Sequence, residues 1–359
     1  MGRFVAGVVS MSDRPVSVPP ATLAWLLEPE NPAVAVLTRR TILKEPDDEA
    51  TEALWARRNE YGPVAAILEA MRDDGSWDTP SRDYQKYRGS LWQIVLLGEL
   101  HADGADPRVR RGAEYSFSRQ LPDGSFSING KQAGSIPCLT ANVARGLARL
   151  GYAGGERVVR ALARTVSLYR ELGVLGCSRE GVSFTLNGYC HMLAPKLLLL
   201  LGEVPRELWP EGAAQLKSAC VEALRDKEVF RSLPRGSGEF FDLIYTAKAA
   251  DRRAVRDRFL AEHSPLVYGD KPGWLRFGYP LSYNSDALEA LLALAAVGEP
   301  RRPEYEPALA VVAAAADGES RWTMRNTLNG KMWADVETKG RSSKWLTLRA
   351  LQVLDHFGT

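Results

Sequence analysis

The residues MRDDGSWDTP (71–80) follow a segment with helical spacing, and RQLPDGSFSI (119–128) repeats the step about fifty residues later. In both stretches Asp-Gly-Ser precedes an aromatic residue. Asp-Gly favours a tight turn with positive φ, and the ring that follows can cover the adjacent hydrophobic layer. DGESRW (317–322) and KPGWLRF (271–277) are looser versions. The recurrence predicts a helical repeat in which these turns join successive helices.

Two kinds of helix alternate around these turns. Five segments are almost wholly apolar and most end on Gly, which predicts helices buried on every face: 89–104, 137–152, 189–204, 285–300 and 343–358. Between them lie segments with a polar face: 61–74, 106–120, 155–172, 211–226 and 303–319. This alternation predicts an all-α fold, an (α/α) toroid of about six helical hairpins with buried helices lining a central cavity.

The remaining segments complete the predicted organisation. Residues 31–46 are expected to supply another inner element, and residues 239–263 a further hairpin. The interpretation is a flexible N-terminal leader at 1–20 followed by a single toroid domain at 21–359.

Bulk composition excludes several classes of function. The net charge of +2 over 359 residues gives no electrostatic reason to expect nucleic acid as a partner. No apolar run approaches the roughly 20 residues that cross a bilayer. Four cysteines are too few for a disulfide framework, which indicates a reducing compartment and a cytoplasmic protein.

The segments WLRFGYPLSYNSDALEALLAL (274–294) and GRSSKWLTLRALQVL (340–354), together with the Asp-Gly-Ser turns, resemble squalene cyclases and the β-subunits of protein prenyltransferases. The likeness spans residues 60–358 and points to a bacterial branch of that superfamily without a settled activity. It implies an α/α toroid with a deep cavity and a hydrophobic, isoprenoid-like or ester-like ligand.

The motifs that carry chemistry in those families are missing. The sequence has no Asp-x-Asp-Asp run to protonate an alkene and no Asp-Asp-x-x-Asp to hold magnesium and diphosphate. The stretch 270–283, which is similar to the one that carries the zinc histidine of prenyltransferases, contains no His. Hydrolase, lyase and transferase reactions therefore all stay open.

Three cysteines give a candidate metal site. Cys138 and Cys190 open successive buried helices, and Cys177 lies in the connection between them. Equivalent ends of neighbouring inner helices should converge on one rim, where three thiolates could bind zinc as a cofactor. The alternative is that all three are packed thiols, as is expected for Cys220.

His191, Cys190, Asp286 and Tyr283 are the candidate catalytic residues. His191 and Cys190 start one buried helix, where a nucleophile pair or a histidine general base is conceivable, although adjacent helical residues point about 100° apart. Asp286 starts a later buried helix beside Tyr283 and is either a general acid or an N-cap. His101 and His356 end buried helices, where a cation suits the helix dipole.

Large or charged side chains near the same predicted rim are the candidate substrate-binding residues, with core packing as the alternative: Trp92, Trp274, Phe277, Lys344, Trp345 and Arg349. These patterns lead to three hypotheses. The chain is an enzyme that acts on a hydrophobic small molecule in the cavity, a non-catalytic binder of a lipid or isoprenoid, or a protein-interaction module that uses its convex helices.

Overall fold

The computed structural model describes residues 17–176, 190–231, 233–234, 237–248 and 250–358. Helices make up nearly all of the regular structure of this part: α1 Pro20–Leu26, α2 Pro32–Thr38, α3 Glu49–Ala56, α4 Gly62–Glu69, α5 Ser90–Glu99, α6 Pro107–Ser118, α7 Pro137–Leu147, α8 Glu156–Leu172, α9 Leu193–Glu203, α10 Ala213–Arg225, α11 Ser237–Thr246, α12 Arg252–His263, α13 Ala287–Ala296, α14 Glu306–Ala314 and α15 Lys344–Phe357. Two short strands, β1 (Leu233–Pro234) and β2 (Tyr268–Gly269), pair antiparallel. The all-α prediction is confirmed.

The predicted alternation of buried and amphipathic helices is also confirmed. Every residue of α5 is buried, as is every residue of α7 except Cys138. Helices α2, α5, α7, α9, α13 and α15 are called the inner helices below. In contrast, α6, α8 and α10 bury one face and expose the other. Because apolar side chains cover the inner helices all round, these helices form the main core.

The inner helices pack against one another in a fixed succession. Helix α5 packs on α7, α7 on α9, α9 on α13, α13 on α15, and α15 on α2. A side-chain hydrogen bond also connects α15 back to α5, because Arg349 of α15 donates to Glu99 at the end of α5. Residues 31–46 thus provide an inner element, as the sequence predicts.

The Asp-Gly-Ser turns make the same bonds each time. Asp74 Oδ1 accepts hydrogen bonds from the backbone N and the Oγ of Ser76, at 3.0 and 2.6 Å, and Asp123 holds Ser125 with the same pair of bonds. Gly75 has a φ of 84°, which favours glycine. A Cβ there would lie 2.6 Å from the carbonyl oxygen of Arg111, so the turn packs directly against the backbone of the next amphipathic helix.

A tryptophan after two of these turns bonds both to the helix before the turn and to the helix after it. The backbone N–H of Trp77 donates to Ser90 Oγ at the start of α5, and the indole N–H donates to the Ile67 carbonyl in α4. Trp322 makes the corresponding bonds to Thr347 Oγ1 and to the Val312 carbonyl. The structural interpretation of the repeated turn is confirmed.

The hairpin predicted within 239–263 forms, but it does not join the succession of inner helices. Its helices form as α11 and α12, but they pack mainly on each other around Phe240, Ile244 and Phe259, a cluster separate from the main core. Helix α13, not α11 or α12, packs on α9. The reason is composition: α12 carries charged residues on most of its surface and buries only Phe259, so it cannot serve as an inner helix.

Within the described ranges, no helix is both long and apolar enough to cross a membrane. The division into a leader at 1–20 and one domain at 21–359 stays a prediction.

Candidate functional site

A cavity of about 430 Å³ lies among the inner helices, mostly at their C-terminal ends. His101 follows the end of α5, Arg149 follows α7, Glu203 ends α9, and Ala296 ends α13. Helix α15 runs along one side. Apolar side chains form much of the wall: Leu37, Leu199, Leu292, Ala295, Ala296 and Leu348. This volume falls within the roughly 300–1,000 Å³ of typical small-molecule sites.

Five charged residues form what we call the arginine–glutamate cluster: Glu99, Arg145, Arg149, Glu203 and Arg349. The carboxylate of Glu99 accepts a hydrogen bond from Arg145 on one oxygen and from Arg349 on the other. Arg149 donates to Glu203, and Arg145 Nε lies 3.7 Å from the same Glu203 oxygen. Arg149, Glu203 and Arg349 line the cavity.

Glycines place two members of the cluster opposite each other. A Cβ on Gly98 would lie 2.6 Å from the Cα of Gly146, so α5 and α7 cross with their backbones nearly touching. Glu99 follows Gly98, and Arg145 precedes Gly146. The close crossing therefore brings the carboxylate and the guanidinium within bonding distance inside the core.

Segments with a π-helical hydrogen-bond pattern position two further cavity residues. Arg149 lies in the segment Ala148–Tyr152, and Thr41 in the segment Arg39–Leu43. Such turns are rare within helices and occur frequently at functional sites. Both segments extend an inner helix so that a polar side chain reaches the cavity.

Electrostatics keep the cluster charged. Burial alone would raise the pKa of Glu99, but Arg145, then Arg349, hold it well below the ordinary value. Burial opposes ionisation of Glu203 in the same way, and Arg149 and Arg145 overcome it to lower the pKa. Both carboxylates are thus ionised at neutral pH beside three arginines, which stay protonated. The cluster carries an excess of one positive charge.

His101 lines the cavity as a neutral base. Burial, followed by the charge of Arg149, lowers its pKa well below the ordinary histidine value. Its ring stacks on Trp345 with 6.1 Å between centroids and 6° between planes. Across the described ranges, no residue hydrogen-bonds its ring nitrogens. The sequence expectation of a helix-end cation at His101 is wrong, because the site is buried beside arginines.

Among the predicted substrate-binding residues, Trp345 and Arg349 line this cavity. Arg349 lies 4.4 Å from the centroid of the Tyr279 ring, which stacks on Trp345 at 4.9 Å. Lys344, which immediately precedes Trp345 in the sequence, instead forms an ion pair with Glu28 at 2.6 Å. None of the four predicted catalytic residues is among the described residues that line the cavity.

Cys190 and His191, two of the predicted catalytic residues, lie just before α9 and close to Trp274. The rings of His191 and Trp274 are 4.0 Å apart, and burial, then Lys271, lower the pKa of His191 well below its ordinary value. Burial also lowers the pKa of Lys271, while the nearby Cys190 raises it. The structure thus brings Cys190, His191 and Trp274 together around Lys271.

Asp286 occupies the N-cap of α13. Its Oδ1 accepts from the backbone N of Glu289 at 2.8 Å, and its Oδ2 from the backbone N of Gly278, next to Phe277, at 3.1 Å. Burial raises the pKa of Asp286 to about 7, against the opposing effect of these two bonds. Of the two roles that the sequence left open for Asp286, general acid or N-cap, these bonds are those of an N-cap.

Trp92 and Tyr283 contact each other at the opposite end of the inner helices from the cavity. Their rings meet edge to face at 6.4 Å, and Lys86 Nζ lies 3.8 Å from the Tyr283 centroid. The indole N–H of Trp92, which is fully buried, donates to the Tyr84 carbonyl. For Trp92, core packing describes the contacts.

The proposed zinc ligands are only partly described. Cys138 is half-buried at the start of α7, Cys190 is half-buried before α9, and Cys177 lies outside the described residues. Among the residues that the structure does describe, no group of three His, Cys, Asp or Glu side chains could hold a metal ion. The three-cysteine set stays a prediction. Cys220 is buried, as expected.

Sequence reasoning missed four members of the arginine–glutamate cluster, namely Glu99, Arg145, Arg149 and Glu203. A signal existed, since Glu99 and Glu203 each follow a glycine at the end of an apolar helix. A charged residue at a position where the pattern requires burial needs a partner.

No protein-family model matches this chain, and no curated protein does. A solved structure described as the crystal structure of a protein from Actinoplanes is similar to it at 16% identity and a TM-score of 0.28, covering 86% of this chain and 100% of that one. A likeness at this level supports no conclusion about fold or activity.

Proposed function

We propose that this chain binds a hydrophobic small molecule in the cavity among its inner helices. The observation that carries the proposal is the cavity itself, whose volume of about 430 Å³ suits a small ligand and whose wall combines apolar side chains with charged ones. Charged and aromatic groups at one side, chiefly Arg149, Arg349 and Trp345, would fix the orientation of the ligand.

The proposal includes the arrangement of the helices. We infer that the inner helices close into an (α/α) toroid similar to squalene cyclases and prenyltransferase β-subunits. The ordered packing from α5 to α15 and α2, and the bond from Arg349 back to Glu99, support this inference. In such a ring the cavity is the central one.

A neutral apolar dye tests the binding proposal. Nile red should bind the wild-type protein with increased fluorescence, and Ala295→Trp, which places an indole in the cavity wall, should abolish binding. The matched control is Ala313→Trp on the exposed side of α14. Circular dichroism would check that both variants fold. Equal dye binding by the two variants would refute the proposal.

The second candidate is that the chain is an enzyme that transforms this ligand, and His101 specifically favours it. A neutral imidazole on the cavity wall can accept a proton from a bound substrate. A screen of model esters would look for turnover that His101→Gln abolishes while Nile red binding persists. Turnover that survives in His101→Gln would exclude His101 as the base.

A further inference from the structure

We propose that the ligand of the cavity carries a single carboxylate, which Arg149 and Arg349 bind at the charged side of the cavity. This inference rests on the proposed function, and it adds the chemical class of the ligand. The charge of the site, its hydrogen-bond donors and its apolar wall each support it.

The site carries a net charge of +1. The arginine–glutamate cluster contains three guanidinium groups and two carboxylates, both ionised because the arginines lower their pKa. The neighbouring charges cancel in pairs. Asp355 on the cavity wall pairs with Lys44 at 3.2 Å, and Lys196 pairs with Glu289 at 2.6 Å in the core. His101 is neutral, so it adds no charge.

The donors of the cluster outnumber its acceptors. Each guanidinium has five N–H groups. Arg349 uses only Nη2, toward Glu99, and Arg149 uses only Nε, toward Glu203; among the described residues nothing accepts from their other nitrogens.

Such donors select the ligand group. Arg149 and Arg349 present to the cavity N–H groups for which no described residue is an acceptor, and a carboxylate supplies two oxygens in the geometry that guanidinium groups bind best. One carboxylate also neutralises the excess charge, whereas a dianion would reverse it. The wall formed by Leu37, Leu199, Leu292 and Leu348 would surround the apolar body of the same molecule. The class is therefore an amphipathic carboxylic acid.

Three ligands that share a ten-carbon chain and differ in their head group test the inference. Their binding to the wild-type protein is measured by isothermal titration calorimetry at pH 8. Decanoate should bind about 10- to 100-fold more tightly than 1-decanol, the ratio expected for hydrogen bonds to a charged group. Decyl phosphate, which is dianionic at this pH, should bind more weakly than decanoate. Equal affinities for decanoate and decanol, or tighter binding of decyl phosphate, would overturn the inference.

Variants locate the effect. Arg349→Met should remove most of the preference for decanoate over decanol, and Arg149→Met provides a second, independent variant; the exposed Arg325→Met is the control. The two proposals fail differently. If Ala295→Trp blocks Nile red but decanoate and decanol bind alike, only the carboxylate inference is wrong. If Ala295→Trp blocks nothing, the binding proposal is wrong as well.

Discussion

Replacing Glu99 by Gln should destabilise the fold more than any surface charge change. Glu99 is 6% exposed, and its carboxylate accepts one hydrogen bond from Arg145 and one from Arg349. Each bond to a charged group contributes about 1.5–3 kcal/mol. A glutamine can keep one bond through its oxygen, but its amide N–H groups would face the other guanidinium.

The expected magnitude follows from the charges that remain. The cluster excess rises from one to two positive charges, because Glu203 alone then faces three arginines. Removing one partner of a buried ion pair costs about 3–5 kcal/mol. We therefore expect Glu99→Gln to lower the free energy of unfolding by about 3–5 kcal/mol.

Urea denaturation, followed by tryptophan fluorescence and by circular dichroism, measures this change. Glu114→Gln, which removes an exposed pair with Arg157, should change the unfolding free energy little by comparison. In a double-mutant cycle, Glu99→Gln and Arg349→Met should cost less together than the sum of the two. A loss below about 1 kcal/mol for Glu99→Gln would contradict the assignment of a buried, charged cluster.

Three further predictions concern the framework. Gly146→Ala should lower the free energy of unfolding by about 1–3 kcal/mol, because the added methyl group forces α5 and α7 apart. The control is Gly238→Ala, where the methyl group would meet no neighbouring atom and the free energy should not fall. Thermal unfolding compares the two variants. Thr347→Val should lower the free energy of unfolding by about 1–3 kcal/mol, because the buried backbone N–H of Trp322 loses its acceptor. Urea denaturation measures this loss. Burial raises the pKa of Asp286 to about 7, so the folded protein keeps a proton that the unfolded chain releases near pH 4. The free energy of unfolding should therefore fall by about 2 kcal/mol between pH 5.5 and 7. Denaturation of Asp286→Asn at both pH values should show that this pH-dependent loss is gone.

The helices and turns were predictable because they depend on local pattern. Residues 71–80 and 119–128 contain both the turn and the aromatic residue, and the positive φ of Gly75 follows from the Asp-Gly pair itself. The bond from Trp77 to Ser90 spans only 13 residues. Such features lie within one repeat, so the sequence contains all the information needed to recognise them.

The cluster and the position of the cavity were not predictable in this way. Glu99 bonds Arg145 and Arg349, which are 46 and 250 residues away, and periodicity says nothing about partners at such separations. The sequence pattern predicted a site where the inner helices start. The cavity lies where several of them end, beside the close contact between Gly202 and Ala296, and this contact could not be read from periodicity either.

The separation of Glu99 from Arg349 has a consequence for synthesis on the ribosome. At roughly 5–20 residues per second, the 250 residues between them take tens of seconds to emerge. During that interval the carboxylate near the end of α5 lacks one of its two guanidinium partners, and α15 is not yet there to pack against α13 and α2. Until α15 emerges, the apolar faces of α13 and α2 that it covers in the folded protein therefore stay exposed to solvent.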